Sequence, residues 1–128
     1  MRAKQHRTIC VIDDDDAVRE STRALLESVG HHVREFPSAS AFLTGLDSSG
    51  AGCLVLDVHM PGMSGLQLLQ FLRQRGDMVP VILFTARADV ALDGIVGMTT
   101  AALVLHKPTD EEALIQAVRG MIQGAEGL

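Results

Sequence analysis

Two short apolar runs in the chain stop abruptly on acid. Thr8–Ile12 leads into Asp13, Asp14, Asp15 and Asp16, and Cys53–Leu56 leads into Asp57. A third run, Ala102–Leu105, ends at His106, Lys107 and Pro108. If these runs are parallel strands, their ends lie side by side, and Asp13, Asp14, Asp57 and Lys107 share one small site. Adjacent carboxylates are hard oxygen ligands suited to Mg²⁺. Asp57 adds a third and can act as a nucleophile, as carboxylates do when they form acyl phosphates. Thr85, which ends another apolar run, can hydrogen-bond one phosphoryl oxygen, and Lys107 can pair with another. Three carboxylates alone would repel until one took up a proton. Mg²⁺ and Lys107 together supply +3 against the −3 of Asp13, Asp14 and Asp57. Phosphoryl transfer needs mainly such positioning and charge neutralisation.

The elements that must carry these residues alternate along the chain. Thr8–Ile12 reads as a buried strand, short, β-branched and bounded by charge. Asp16–Val29 reads as a helix with Val18, Thr22, Leu25, Leu26 and Val29 on one face. Asp15 or Asp16 caps it, and Gly30 suits the position past its end. His32–Phe36 is a weaker strand, and Ser38–Leu46 a short helix with Ala39, Phe42, Leu43 and Leu46 inward. Asp47–Gly52 is a polar loop before the strand Cys53–Leu56. Pro61–Gly65 turns the chain into a helix at Ser64–Gln74, with Leu66, Leu69 and Leu72 apolar and Gly76 as its stop. Val81–Thr85 is a fourth strand, Ala88–Met98 a poorly patterned helix, and Ala102–Leu105 a fifth strand. Thr109–Met121 is the last helix, with Thr109 and Glu112 at capping-box spacing. Continuous apolar strands between helices describe a parallel sheet covered on both faces, a doubly wound α/β sandwich.

Bulk properties agree. A chain of 128 residues has the size of one domain, and 47% hydrophobic residues suffice for its core. Aromatics are 3%, so aliphatic side chains must fill that core. A net charge of −5 disfavours a domain that itself grips nucleic acid. Cys10 and Cys53 sit inside apolar runs and read as reduced, buried thiols. Met1–Arg7 is basic, but the apolar stretch behind it is too short for a signal sequence or a membrane span, which makes the cytoplasm the expected location. No linker or repeat divides the chain, so residues 1–128 are expected to be one domain, with flexible ends at 1–6 and 123–128. The starting Met1 favours an N-terminal placement in any longer protein. His6, His31 and His32 read as solvated imidazoles, and Met60, Met63, Met78, Met98 and Met121 as packing residues.

The ordered pieces VIDDD (Val11–Asp15), LVLD (Leu54–Asp57), MPGMSG (Met60–Gly65), LFTA (Leu83–Ala86) and HKP (His106–Pro108) resemble the receiver domain of two-component response regulators over nearly the whole chain. The stretch Ser38–Leu43 is similar to receivers of transcription regulators with helix-turn-helix outputs. The resemblance implies a flavodoxin-like, CheY-like sheet of order 2-1-3-4-5 with five helices. It implies that Asp57 accepts a phosphoryl group from a sensor histidine kinase, with Mg²⁺ held by Asp13, Asp14, Asp57 and the His59 main-chain carbonyl. It also implies that Thr85 and Lys107 contact the phosphate, and that Lys107–Pro108 is a cis peptide, a form found in only about 5–6% of such bonds. His59, Ala86, Arg87 and Val104 become modulating positions; bulky His59 and Arg87 flanking the phosphoryl group predict slow self-hydrolysis. Partners would be the kinase, a C-terminal output domain or a second copy, and neither nucleic acid nor a membrane directly.

Three departures fall on one face, that of the fourth helix, fifth strand and fifth helix. Receivers carry Tyr or Phe where this chain has Val104, Ala-Gly-Ala where it has Thr99-Thr100-Ala101, and an aromatic where it has Thr109. The fourth helix also holds Gly94 and Gly97, each costing about 1 kcal/mol relative to Ala. The alternative function is therefore a degenerate receiver used as a protein-binding module, with altered signalling through that face. Two rivals fit less well. A haloacid-dehalogenase-like phosphatase needs a second carboxylate where His59 stands, and a flavodoxin-like cofactor binder needs a Ser/Thr/Gly loop where four acids stand.

Overall fold

The computed structural model of the protein describes residues 8–45, 50–86, 90–107 and 110–126. Its elements run β1 (Thr8–Ile12), α1 (Asp16–Ser28), β2 (His32–Phe36), α2 (Ala39–Gly45), β3 (Ala51–Asp57), α3 (Gly65–Gln74), β4 (Val81–Thr85), α4 (Val90–Gly97), β5 (Ala102–His106) and α5 (Glu111–Glu126). The strands form one parallel sheet in the order β2-β1-β3-β4-β5. The three inner strands are buried almost throughout, while β2 and β5 are edges and partly exposed.

Side chains alternate between the two faces of a strand, and this divides the core. Cys10, Ile12, Leu54, Leu56, Val81 and Leu83 pack with Phe42, Leu69 and Leu92 of α2, α3 and α4. Ile9, Val11, Cys53, Val55, Ile82 and Phe84 pack with Leu26 of α1 and with Leu114 and Val118 of α5. The two cysteines thus lie in different cores, both free. Burial, the dominant cause, pushes each thiol up to about 12.

Element ends differ from the sequence pattern where tertiary partners or caps decide. β3 begins at Ala51 because Ala51 finds a partner in Thr8 of β1, so Gly52 belongs to the strand and not to a loop. β5 extends to His106, which pairs with Thr85. Asp15 is the N-cap of α1, accepting from the Val18 N–H. Val29 is the C-cap and 39% exposed, so it does not join the buried face. Ser64 caps α3 in a reciprocal box with Gln67, and Leu68, Leu69 and Leu72 are its buried residues while Leu66 is only partly covered. Asp110 caps α5 through the Ala113 N–H at 2.6 Å. The expected Thr109 cap, like Leu46, Arg87, Ala88 and Pro108, lies outside the described residues. α4 starts at Val90, and α5 continues past Met121 to Glu126.

Other expectations need correction. Met78 and Met98 are 52% and 91% exposed, on segments that follow α3 and α4, and so do not pack in a core. His31 is half-buried, with its Nε2 lacking a hydrogen-bond partner among the described residues. Burial and then Arg119 lower its pKa, so it is not a solvated imidazole.

The turn into β5 is held from a distance. The Arg73 guanidinium donates to the carbonyls of Asp77, Val79, Thr100 and Ala101 at 2.8–3.2 Å, tying the end of α3 to two loops. Ala101 sits at φ 55°, the left-handed region where a Cβ is unfavourable. Ala101→Gly should therefore stabilise the protein by roughly 0.5 kcal/mol, the relief of about 1 kcal/mol of strain less the added freedom of the unfolded chain. The check is the urea midpoint at unchanged m-value; an unchanged or lower midpoint would contradict the strain.

Candidate functional site

The alternation that divides the core also selects the site. Asp13 continues the Ile9–Val11 side of β1, Asp57 the Cys53–Val55 side of β3, and Lys107 the Leu103–Leu105 side of β5. All three therefore emerge on the α1–α5 side at the carboxyl ends of the strands, where open α/β sheets bind ligands. The Lys107 Nζ lies 3.7 Å from Asp13 Oδ2 and 3.6 Å from Asp57 Oδ1, one ammonium between two buried carboxylates. Asp14 is exposed beside them, and one oxygen from each of Asp13, Asp14 and Asp57 can be chosen so that all lie within 4.8 Å of one another.

Main-chain contacts hold each group in place. The Asp13 N–H donates to the Phe36 carbonyl at 3.1 Å, so the end of β1 is anchored on β2. The Asp13 Oδ1 accepts from the Asp15 N–H at 2.9 Å, which turns this carboxylate back into the site. Asp15 and Asp16 point elsewhere, as cap and as partner of Arg19. After β3, the Val58 N–H donates to the Phe84 carbonyl, and the Gly65 N–H to the Val58 carbonyl. A Cβ on Gly65 would stand 2.3 Å from the Asp57 carbonyl, so only glycine lets α3 start this close to the acid. The Lys107 N–H donates to the Thr85 carbonyl at 2.7 Å, and its Nζ lies 5.8 Å from the centre of the Phe84 ring.

Of the residues expected from sequence, Asp13, Asp14, Asp57 and Lys107 come together. Thr85 is fully buried and joined to Lys107 through the main chain, but alternation puts its side chain on the Leu83 side of the sheet. His59 and Ala86 are exposed. Val104 is partly covered against the α2–α4 core. Sequence reasoning passed over the role of Gly65, although a glycine opening a helix shortly after the acid is a signal for close approach. It also passed over Phe84 and over Arg19, which sits at helical i, i+3 spacing from Asp16.

Burial raises the Asp57 pKa, with the Asp13 charge adding to it and Asp14 contributing less; Lys107 and the His59 N–H donated to it pull the other way. Three carboxylates against one ammonium leave the site short of positive charge. That deficit, with three oxygen donors in reach of one another, fits a divalent cation.

The family model for the response regulator receiver domain matches residues 9–119. The chain belongs to that family. The receiver is 49% identical over 112 residues to the transcriptional regulatory protein FixJ of Azorhizobium caulinodans, spanning 88% of this chain and 53% of that protein. It is 37% identical over 115 residues to the response regulator protein TodT of Pseudomonas putida, spanning 90% and 51%. The receiver thus spans about half the length of the curated relatives it matches. Among solved structures, response regulator StyR superposes with a TM-score of 0.88 at 40% identity, covering 96% of this chain and 63% of that one. The chemotaxis protein CheY4 of Vibrio cholerae gives 0.81 at 18% identity over 91% and 99%, a likeness of fold. Both agree with the sheet order and five helices seen here.

The raised pKa has a stability consequence. A carboxyl that holds its proton more tightly when folded makes its ionised form a cost of the folded state at neutral pH. That cost vanishes as pH falls through the folded value toward the ordinary 3.8. Without divalent cations, Asp57→Asn should melt a few degrees above wild type near neutral pH, with the gap closing toward about pH 4. Mg²⁺ should raise the wild type more than the variant. Thermal melts over pH and Mg²⁺ check this; an Asn variant less stable than wild type at neutral pH contradicts it.

Proposed function

We propose that this receiver is the phosphoacceptor of a two-component response regulator, with residues 1–128 acting as one domain. The Asp57 carboxylate attacks the phosphorus of a phosphohistidine on a sensor histidine kinase, the P–N bond breaks, and the imidazole leaves. The observation that carries this reading is the Lys107 ammonium at 3.6–3.7 Å from both Asp13 and Asp57. Such a cation can remain with Asp57 in either state, pairing with the carboxylate before transfer and with a phosphoryl oxygen after it.

Asp13, Asp14, Asp57 and the His59 carbonyl would hold Mg²⁺, which supplies charge neutralisation for the incoming phosphoryl group. Thr85 would reach a phosphoryl oxygen by moving toward the Asp57 side, a displacement that makes it the reporter of phosphorylation. The domain is a signalling module and not a turnover enzyme. Its output is transcriptional, in keeping with relatives named as transcriptional regulators, and is exerted through a C-terminal output domain or a second copy. The acidic net charge leaves DNA contact to that partner. Among the described residues no helix is long and apolar enough to cross a membrane, and we assign the receiver to the cytoplasm.

Incubation with acetyl phosphate or phosphoramidate and Mg²⁺ should add one phosphoryl mass to the wild type and none to Asp57→Ala, read by intact mass. A wild type that gains none would favour the binding-module alternative. Phosphoryl lifetime gives a second test. Exposed His59 adjoins the acid, and Arg87 follows Ala86 in sequence. The paired change His59→Ala, Arg87→Ala should shorten the lifetime several-fold by admitting water; an equal or longer lifetime contradicts this shielding.

A further inference from the structure

Behind the acid loop lies a cation that the phosphoacceptor reading does not use. Arg19, at the end of the first turn of α1, has a side chain only 12% exposed. Its guanidinium forks three ways. Nη1 donates to the Asp13 main-chain carbonyl at 2.8 Å, Nη2 to Asp16 Oδ1 at 2.6 Å, and Nε to Glu35 Oε1 at 3.2 Å. Glu35 stands on β2 opposite Val11 and is itself held by Arg23 Nη1 at 2.6 Å on its other oxygen. The guanidinium is therefore braced against the sheet edge and aimed at one carbonyl.

That carbonyl belongs to the peptide joining Asp13 to Asp14. The N–H of Asp13 is already tied to Phe36, and the Asp13 side chain to the Asp15 N–H. Fixing the intervening carbonyl fixes the plane of the Asp13–Asp14 peptide. Rotation of that plane would swing the Asp14 carboxylate and shift the Asp15 N–H that turns Asp13 toward Asp57. We propose that Arg19 is a positioning residue for the divalent-cation site, holding the Asp13–Asp14 peptide so that three carboxylates face one point. The inference rests on the Mg²⁺ reading above. A lysine cannot replace Arg19, because one ammonium cannot meet the Asp13 carbonyl and Glu35 in the fixed in-plane directions of a guanidinium fork. The Asp16 contact is a minor one, since that carboxylate is 80% exposed.

Calorimetric titration with Mg²⁺ at neutral pH tests the proposal, on wild type, Arg19→Lys, Glu35→Gln and Asp16→Asn, with melting temperatures on the same samples. Arg19→Lys keeps the charge and should weaken Mg²⁺ binding about 10-fold, as loss of an outer-shell partner does. Glu35→Gln, which leaves Arg19 in place but loosens its brace, should weaken binding several-fold. Asp16→Asn should stay within about two-fold of wild type. If wild type binds Mg²⁺ and Arg19→Lys binds it equally, the positioning role is overturned, whatever happens to the melting temperature. If Arg19→Lys does not fold, wild-type affinity in Glu35→Gln overturns it. A wild type that binds no Mg²⁺ overturns the cation site itself, and with it both readings.

Discussion

A carboxylate taken out of water at the end of a strand needs a partner for its charge, and Asp13 and Asp57 bring two such groups to one place. Lys107 stands between them and answers part of the repulsion. Burial first, and then the Asp13 charge, still outweigh Lys107 and raise the Asp57 pKa. Much of the local architecture exists to make that crowded arrangement possible. The carboxyl ends of the parallel strands β1, β3 and β5 supply the groups from one face, α3 starts on a glycine because nothing larger fits beside the Asp57 carbonyl, and the turn after β1 is tied at Asp13 by three separate hydrogen bonds.

The same crowding makes the site responsive. A group whose surroundings are balanced changes little when a ligand arrives, whereas a pocket rich in negative charge gains from each added positive charge and is strained by each added negative one. Lys107 is joined through its own N–H to Thr85, and β5 through Val104 to the core beneath α3 and α4. The chemistry and the α4–β5 face are thus mechanically contiguous. On that face the departures noted from sequence meet a particular structure: Val104 is partly covered, Ala101 holds a left-handed turn that Arg73 grips, and Ile95 and Met98 stand exposed.

Most of the fold was legible before any coordinates. Strands β1, β2 and β4 have the ends that the apolar runs suggest, and Asp15, Gly30 and Gly76 behave as the capping and stop residues they resemble. The errors cluster where a distant partner decides. Gly52 lies within β3 because β1 pairs with Ala51 before it and Cys53 after it, the register shifting past Gly52 itself, Met78 and Met98 are exposed because their segments lead out of the core, and His31 is half-buried near Arg119 of a helix far along the chain. No local pattern carries that information.

The site divides in the same way. Residue types and order alone determined that Asp13, Asp14, Asp57 and Lys107 end apolar runs, because a run of buried strand must stop where charge begins, and that made a shared acidic site the economical reading. Only the tertiary structure decided which of the acids face it. Strand alternation and the turn after β1 send Asp13 inward and Asp15 and Asp16 outward, and parallel register sets Leu105 level with Asp57 across β4, so that Lys107, two residues further on the same face, can reach the acid with its side chain. It also decided that Arg19, sixteen residues from Glu35 in sequence, stands behind the acid loop. A guanidinium finds its partners through space, and the distance between β2 and α1 exists only once the sheet has formed.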